Sequence, residues 1–191
     1  MLVSSFIQLA PAGTVSHAGS ITTLNLEAEQ IASTPKLGSK PKTENLTLVG
    51  FADEESMIAA EQEGARSFNV LLPESVKVLE ASGRDLAAVK AVLVITGTVK
   101  MDPPNFRAML ASDEMSKNVG KMFAQHEGLI IKHFLEARWG EKNRGGGCYF
   151  FHSTDDIETY LSSEFWDKAG CEETPWEDVT YEMYKVVQNN N

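Results

Sequence analysis

Between Gly128 and His152 two apolar runs flank a glycine-rich polar segment, and this pattern restricts the possible folds more than any other stretch. Gly128-Leu129-Ile130-Ile131-Lys132-His133-Phe134-Leu135 is β-branched and aromatic, and reads as a strand. The polar segment Gly140–Gly147 is expected to turn the chain. Cys148–His152 reads as a second strand, and Ser153 or Thr154 then caps a helix over 155–165, with Asp155 and Asp156 at its positive end. Strand, hairpin, strand and capped helix form the centre of a ferredoxin-like unit. Gly145-Gly146-Gly147 is not a dinucleotide fingerprint, because a strand rather than a helix follows it; a flexible hairpin turn and close backbone approach are its expected roles.

The same order recurs in a weaker copy. Leu46–Phe51 followed by Asp53-Glu54-Glu55-Ser56 parallels Cys148–His152 followed by Ser153-Thr154-Asp155-Asp156. Ala91–Val99 and Leu2–Leu9 are the leading strands, and Val179–Val187 and Glu74–Leu79 the closing ones, the latter starting only after Pro73. Pro103 and Pro104 open the helical segment of the second half. In the first half, Leu24, Ala28, Ile31 and Ala32 at helical spacing predict a helix capped by Ser20 or Thr22 and stopped by Pro35. Lys36–Asn45 reads as an exposed loop or a degraded strand, and Trp166–Asp178 as a loop. The chain is therefore expected to be α+β, with a diverged ferredoxin-like half over 1–83 and a better one over 84–191. Each βαββαβ sheet needs cover for its helix-free face. Packing the two face to face gives an intrachain dimeric α+β barrel.

Charge and composition exclude several functions. With 191 residues and a net charge of -10, nucleic acid and anionic membrane surfaces are not expected partners. Cys148 and Cys171 form neither a disulfide framework nor a zinc-ligand spacing. The run Leu2–Ala10 lacks a basic leader, and no apolar run reaches the ~18 residues of a membrane span. A reducing, cytoplasmic setting is the expectation.

Glu127-Gly128-Leu129-Ile130-Ile131-Lys132, the charged hairpin, Gly146-Gly147-Cys148-Tyr149-Phe150-Phe151 and the acidic helix start together resemble the YdhR-like monooxygenase family over about residues 91 to 187. Glu127 stands where that family has proline, and residues 1–80 match it only as a diverged copy. The resemblance implies a dimeric α+β barrel and the superfamily of cofactor-free oxygenases and small cyclases, which also holds haem-handling members. It marks Lys132 as the matched position.

On a pleated strand Lys132 alternates with His133. Pointing inward, Lys132 could hold an anionic substrate or stabilise an enolate. The plainer alternative is a stem packed on the sheet, with the charge in solvent or paired to Glu136 or Glu182. His133 and His152 are the candidate general bases. As core or rim residues they would serve only packing, and as axial ligands they would make a haem site. His126 is expected in a solvent-exposed loop. Trp139, Tyr149, Phe151, Tyr181 and Met183 are the candidate lining of a pocket for a flat hydrophobic ligand, or else plain core.

The leading expectation is cofactor-independent monooxygenation of a small aromatic or polyketide-like molecule, with no metal and no cofactor. A base would make a carbanion that reacts with dioxygen, and Lys132 would stabilise the developing oxyanion. A cofactor-free cyclase or isomerase on the same barrel is one alternative, and a non-catalytic binding or interaction module is another. Association of the pseudo-dimeric chain into a homodimer is left open.

Overall fold

The computed structural model describes residues 5–12, 19–29, 44–60, 63–71, 85–114, 118, 120–138, 143–169 and 176–190. Four strands belong to the first half: β1 (Phe6–Pro11), β2 (Ser20–Glu29), β3 (Leu46–Phe51) and β4 (Arg66–Leu71). Four belong to the second: β5 (Ala91–Val99), β6 (Leu129–Ala137), β7 (Arg144–Phe151) and β8 (Trp176–Asn190). The helices are α1 (Glu54–Ala59), α2 (Pro103–Leu110), α3 (Gly120–Ala124), α4 (Thr154–Leu161) and α5 (Glu164–Ala169). Asp53, Asp102 and Ser153 each cap a helix by accepting a backbone N–H three residues on.

The strands close into one barrel in the order β1-β3-β2-β8-β5-β7-β6-β4. Within it the first half runs β4-β1-β3-β2 and the second β8-β5-β7-β6, the same ferredoxin-like order in each. The fourth strand of each half pairs with the second strand of the other, β8 with β2 and β4 with β6. This mutual pairing leaves no open sheet edge, the usual liability of a single half. One apolar cluster runs through both halves, joining Leu9, Leu24 and Leu48 to Val92, Val94 and Phe150. A small second cluster of Val49, Phe51 and Met57 lies under α1. On the outside of the β4–β6 seam Glu136 accepts from Arg107 (2.5 and 3.0 Å) and from Asn69 (2.9 Å), while Arg138 bonds Asn69 and Glu54.

Several local expectations are overturned by tertiary pairing. Ser20–Glu29 is a strand, not a helix: Leu24 and Ala28 share a face at either period, and buried Leu26 between them fits only the period of two. The first half thereby gains its second strand upstream of Lys36–Asn45. Strand β4 precedes Pro73, where every N–H can enter the ladder; the strand expected at Glu74–Leu79, and with it the 83/84 boundary, lies outside the described residues. Trp166 is in helix α5 rather than a loop, and β8 begins at Trp176, earlier than Val179.

Gly145-Gly146-Gly147 also stands in strand β7 rather than in the turn. A Cβ at Gly146 would come within 1.8 Å of the Ile95 carbonyl oxygen, and one at Gly145 within 2.7 Å of the Leu135 oxygen. The glycines allow β5 and β6 to approach β7. Gly146→Ala is expected to cost about 1–3 kcal/mol, as overpacking against an immovable backbone does. Chemical denaturation would measure this, and an unchanged midpoint would refute the close-approach role.

Candidate functional site

The pleat of β6 sends Lys132 and His133 to opposite faces, and their surroundings differ in kind. Lys132 points into the layer between the sheet and the helices. Its Nζ lies 3.9 Å from the ring centroid of Phe134, two residues along the strand, and 4.4 Å from that of Tyr149, its cross-strand partner. Phe123 of α3 closes the third side at 4.2 Å. Gly147 makes room: a Cβ there would stand 2.7 Å from the Tyr149 ring and 3.2 Å from Lys132 Cε. Behind the box, the Tyr160 ring of α4 packs on that of Tyr149, with centroids 5.4 Å apart. Phe165 packs on Phe123 at 5.2 Å, and His126 on Tyr160 at 4.9 Å.

Lys132 is 5% exposed and makes no hydrogen bond or ion pair among the described residues. The expected pairing with Glu136 or Glu182 is absent, because Glu136 serves Arg107 and Asn69 while Glu182 serves Arg66 and Tyr184. Three ring faces attract an ammonium by about 0.5–2 kcal/mol each. Desolvation is the larger effect, and it pushes the Lys132 pKa well below its ordinary value. The Tyr149 and Tyr160 hydroxyls are pushed up by the same burial, so they remain protonated donors.

His133 faces the barrel interior, with its ring 5.2 Å from Phe150. Burial lowers its pKa to about 4, and its buried Nδ1 has no hydrogen-bond partner among the described residues. The register sets Glu182, Val94, Cys148 and His133 in one row across the second sheet. Glu182 is fully buried there. It accepts both Nη groups of Arg66 at 2.7 Å and the Tyr184 hydroxyl at 2.6 Å. Since β4 and β8 are four strands apart in either direction, this ion pair crosses the lumen and joins the two halves.

The three residues expected to form one catalytic group are therefore not brought together. Lys132 is in the aromatic layer, His133 is in the lumen, and His152 is exposed where β7 ends. Neither histidine shares a face with Lys132, so neither can act as its partner base. Of the expected lining residues, Tyr149 is in the box itself. Phe151 packs on Tyr160, Tyr181 on Trp166, and buried Met183 is two residues further along β8 on the same face. Trp139 lies outside the described residues. Phe123, Tyr160 and Phe165, not among the expected site residues, complete the layer together with half-buried His126, which packs against rings rather than standing exposed. A signal present in the sequence that points to Tyr160 is the helical spacing of Ile157, Tyr160 and Leu161. Among the described residues no group of three His, Cys, Asp or Glu is placed to hold a metal, and no helix is long and apolar enough to cross a membrane.

Fold and site together define a tandem ferredoxin-like α+β barrel carrying a desolvated lysine in an aromatic layer. No protein-family model and no curated protein sequence matches the chain. Solved structures do match along nearly its whole length. An anthrone oxidase-like protein aligns over 98% of this chain and 95% of its own, with a TM-score of 0.59 at 12% identity. A protein of Fusobacterium nucleatum provisionally named a monooxygenase aligns over 100% and 96%, with a TM-score of 0.57 at 11% identity. A ferredoxin-fold protein of Listeria monocytogenes, related to antibiotic biosynthesis monooxygenases, aligns over 98% and 97%, with a TM-score of 0.54 at 10% identity. At these identities the likeness establishes the shared fold.

Proposed function

We propose that this chain is a cofactor-independent monooxygenase acting on a small aromatic or polyketide-like molecule held in the aromatic layer. One observation carries this function: Lys132 presents an amine, without a counter-ion among the described residues, to a box of three rings. A flat, acidic carbon compound complements such a site, and the anthrone oxidase-like structural neighbour suggests an anthrone as the first substrate to try. Lys132 replaces His133 and His152 as the base. Its unprotonated amine takes a proton from an activated CH2, and the resulting ammonium pairs with the enolate oxygen and the rings. The carbanion gives an electron to dioxygen, and the radical pair combines. Return of the proton yields a hydroperoxide, which loses water. The sum is CH2 + O2 → C=O + H2O, with the substrate as sole reductant.

Oxygen uptake and quinone absorbance with an anthrone, measured against the protein-free rate, test this directly. Lys132→Met should lower the enzymatic rate by about 10²–10⁴-fold. Equal rates in wild type and variant would sink the assignment. Product formation without oxygen uptake would point to the cyclase or isomerase instead. A binding or interaction module is the second reading, favoured by the lumen being crossed by a structural ion pair rather than left for a ligand.

A further inference from the structure

We propose that Lys132 is also a covalent site, its amine condensing reversibly with an aldehyde or ketone to give an imine inside the aromatic layer. This deepens the proposed function and rests on the same site, but it asks for nucleophilic attack rather than proton transfer. Three features of the layer suit it. The amine is anchored mid-strand, and its stem is held between Gly147 and Tyr149, so the nitrogen is presented in one place. Among the described residues no carboxylate holds the nitrogen as an ammonium, since Glu136 and Glu182 are committed elsewhere. The Tyr149–Tyr160 hydroxyl pair adjoins the box as a protonated donor.

The lowered pKa of the amine increases the fraction that carries a free lone pair, the condition for attack. Nitrogen adds to the carbonyl carbon, and the proton lost from nitrogen passes to the carbonyl oxygen, giving a carbinolamine. A proton taken up from solvent and relayed by the Tyr149 hydroxyl protonates the carbinolamine hydroxyl and expels one water as C=N forms, leaving the tyrosine protonated. No oxidant or reductant is needed. The protonated imine places its positive charge against the rings that face Nζ, which offset part of its desolvation. It also acidifies the adjacent C–H, so attachment and activation of a carbonyl substrate would occur at one atom.

The test is reductive trapping of the full chain at pH 7 with benzaldehyde and sodium cyanoborohydride, read by intact mass and peptide mapping. One benzyl group per chain is expected, at Lys132, at least about tenfold faster than at exposed Lys90, Lys121 and Lys185. Lys132→Met should abolish the fast label, and Phe123→Leu, which opens the box to water, should slow it at pH 7. Labelling spread over the exposed lysines with none at Lys132, or a fast label that persists in Lys132→Met, would overturn the proposal. Oxygen uptake with an anthrone but no trapped adduct would remove the imine and keep the oxygenase. An adduct at Lys132 with no oxygen uptake would do the reverse.

Discussion

Glu182→Ala is expected to destabilise the protein by about 3–5 kcal/mol, the cost of leaving a buried charge without its partner. Arg66 would keep a guanidinium in the lumen with nothing to accept its two Nη groups, and the Tyr184 hydroxyl would lose its acceptor as well. Burial already pulls the Arg66 pKa down, and the hydrogen bonds and charge of Glu182 outweigh it. For a chain of this size the loss corresponds to about 10 °C or more in Tm. Replacing both partners, Arg66→Met with Glu182→Leu, should recover most of it, because apolar side chains in the lumen demand no partner. A double-mutant cycle by denaturant unfolding separates the two terms. If the double variant is no more stable than Glu182→Ala, the pair is not the source of the effect.

Lys132→Met should move stability the other way while removing activity. In the unfolded chain Lys132 titrates near 10.5, and in the folded protein desolvation places its pKa well below that. Between the folded and unfolded values the unfolded chain binds one more proton. Wild-type stability therefore rises with pH through that window and is lowest beneath it. Methionine fills a similar volume without the charge, so the variant should gain about 1 kcal/mol or more at pH 7, about 2–4 °C in Tm, and lose the pH slope. Unfolding curves from pH 6 to 10 would show the two proteins converging as pH rises. A variant less stable than wild type at pH 7 would mean that Lys132 is a satisfied structural residue. A gain in stability together with lost turnover identifies strain held for function.

The fold was legible where local pattern and tertiary role agree. Ala91–Val99 and Leu46–Phe51 have the bounds of β5 and β3, since long β-branched or apolar runs suit central strands regardless of neighbours. The cap at Ser153, expected there or at Thr154, was legible because capping involves only a few successive residues. Strand β2 was not, because Leu24 and Ala28 fit both periods, and pairing with β3 and β8 decides between them. The glycines of β7 looked like a turn because the Ile95 and Leu135 carbonyls that exclude a side chain come from distant strands.

The candidate site divides along the same line. The alternation of β6 by itself put Lys132 and His133 on opposite faces, and the repeat of strand and acidic helix by itself required two sheets to pack together. Only the closed barrel decided which face met helices and which met the lumen. It set Phe123 and Tyr149 around Lys132, placed Arg66 across the lumen from Glu182, and left His152 at the rim. The periodicity of a strand is a property of successive residues and can be read from them. The solvation of a charge depends on atoms brought from elsewhere in the chain, and that made Lys132 a desolvated amine rather than a surface lysine.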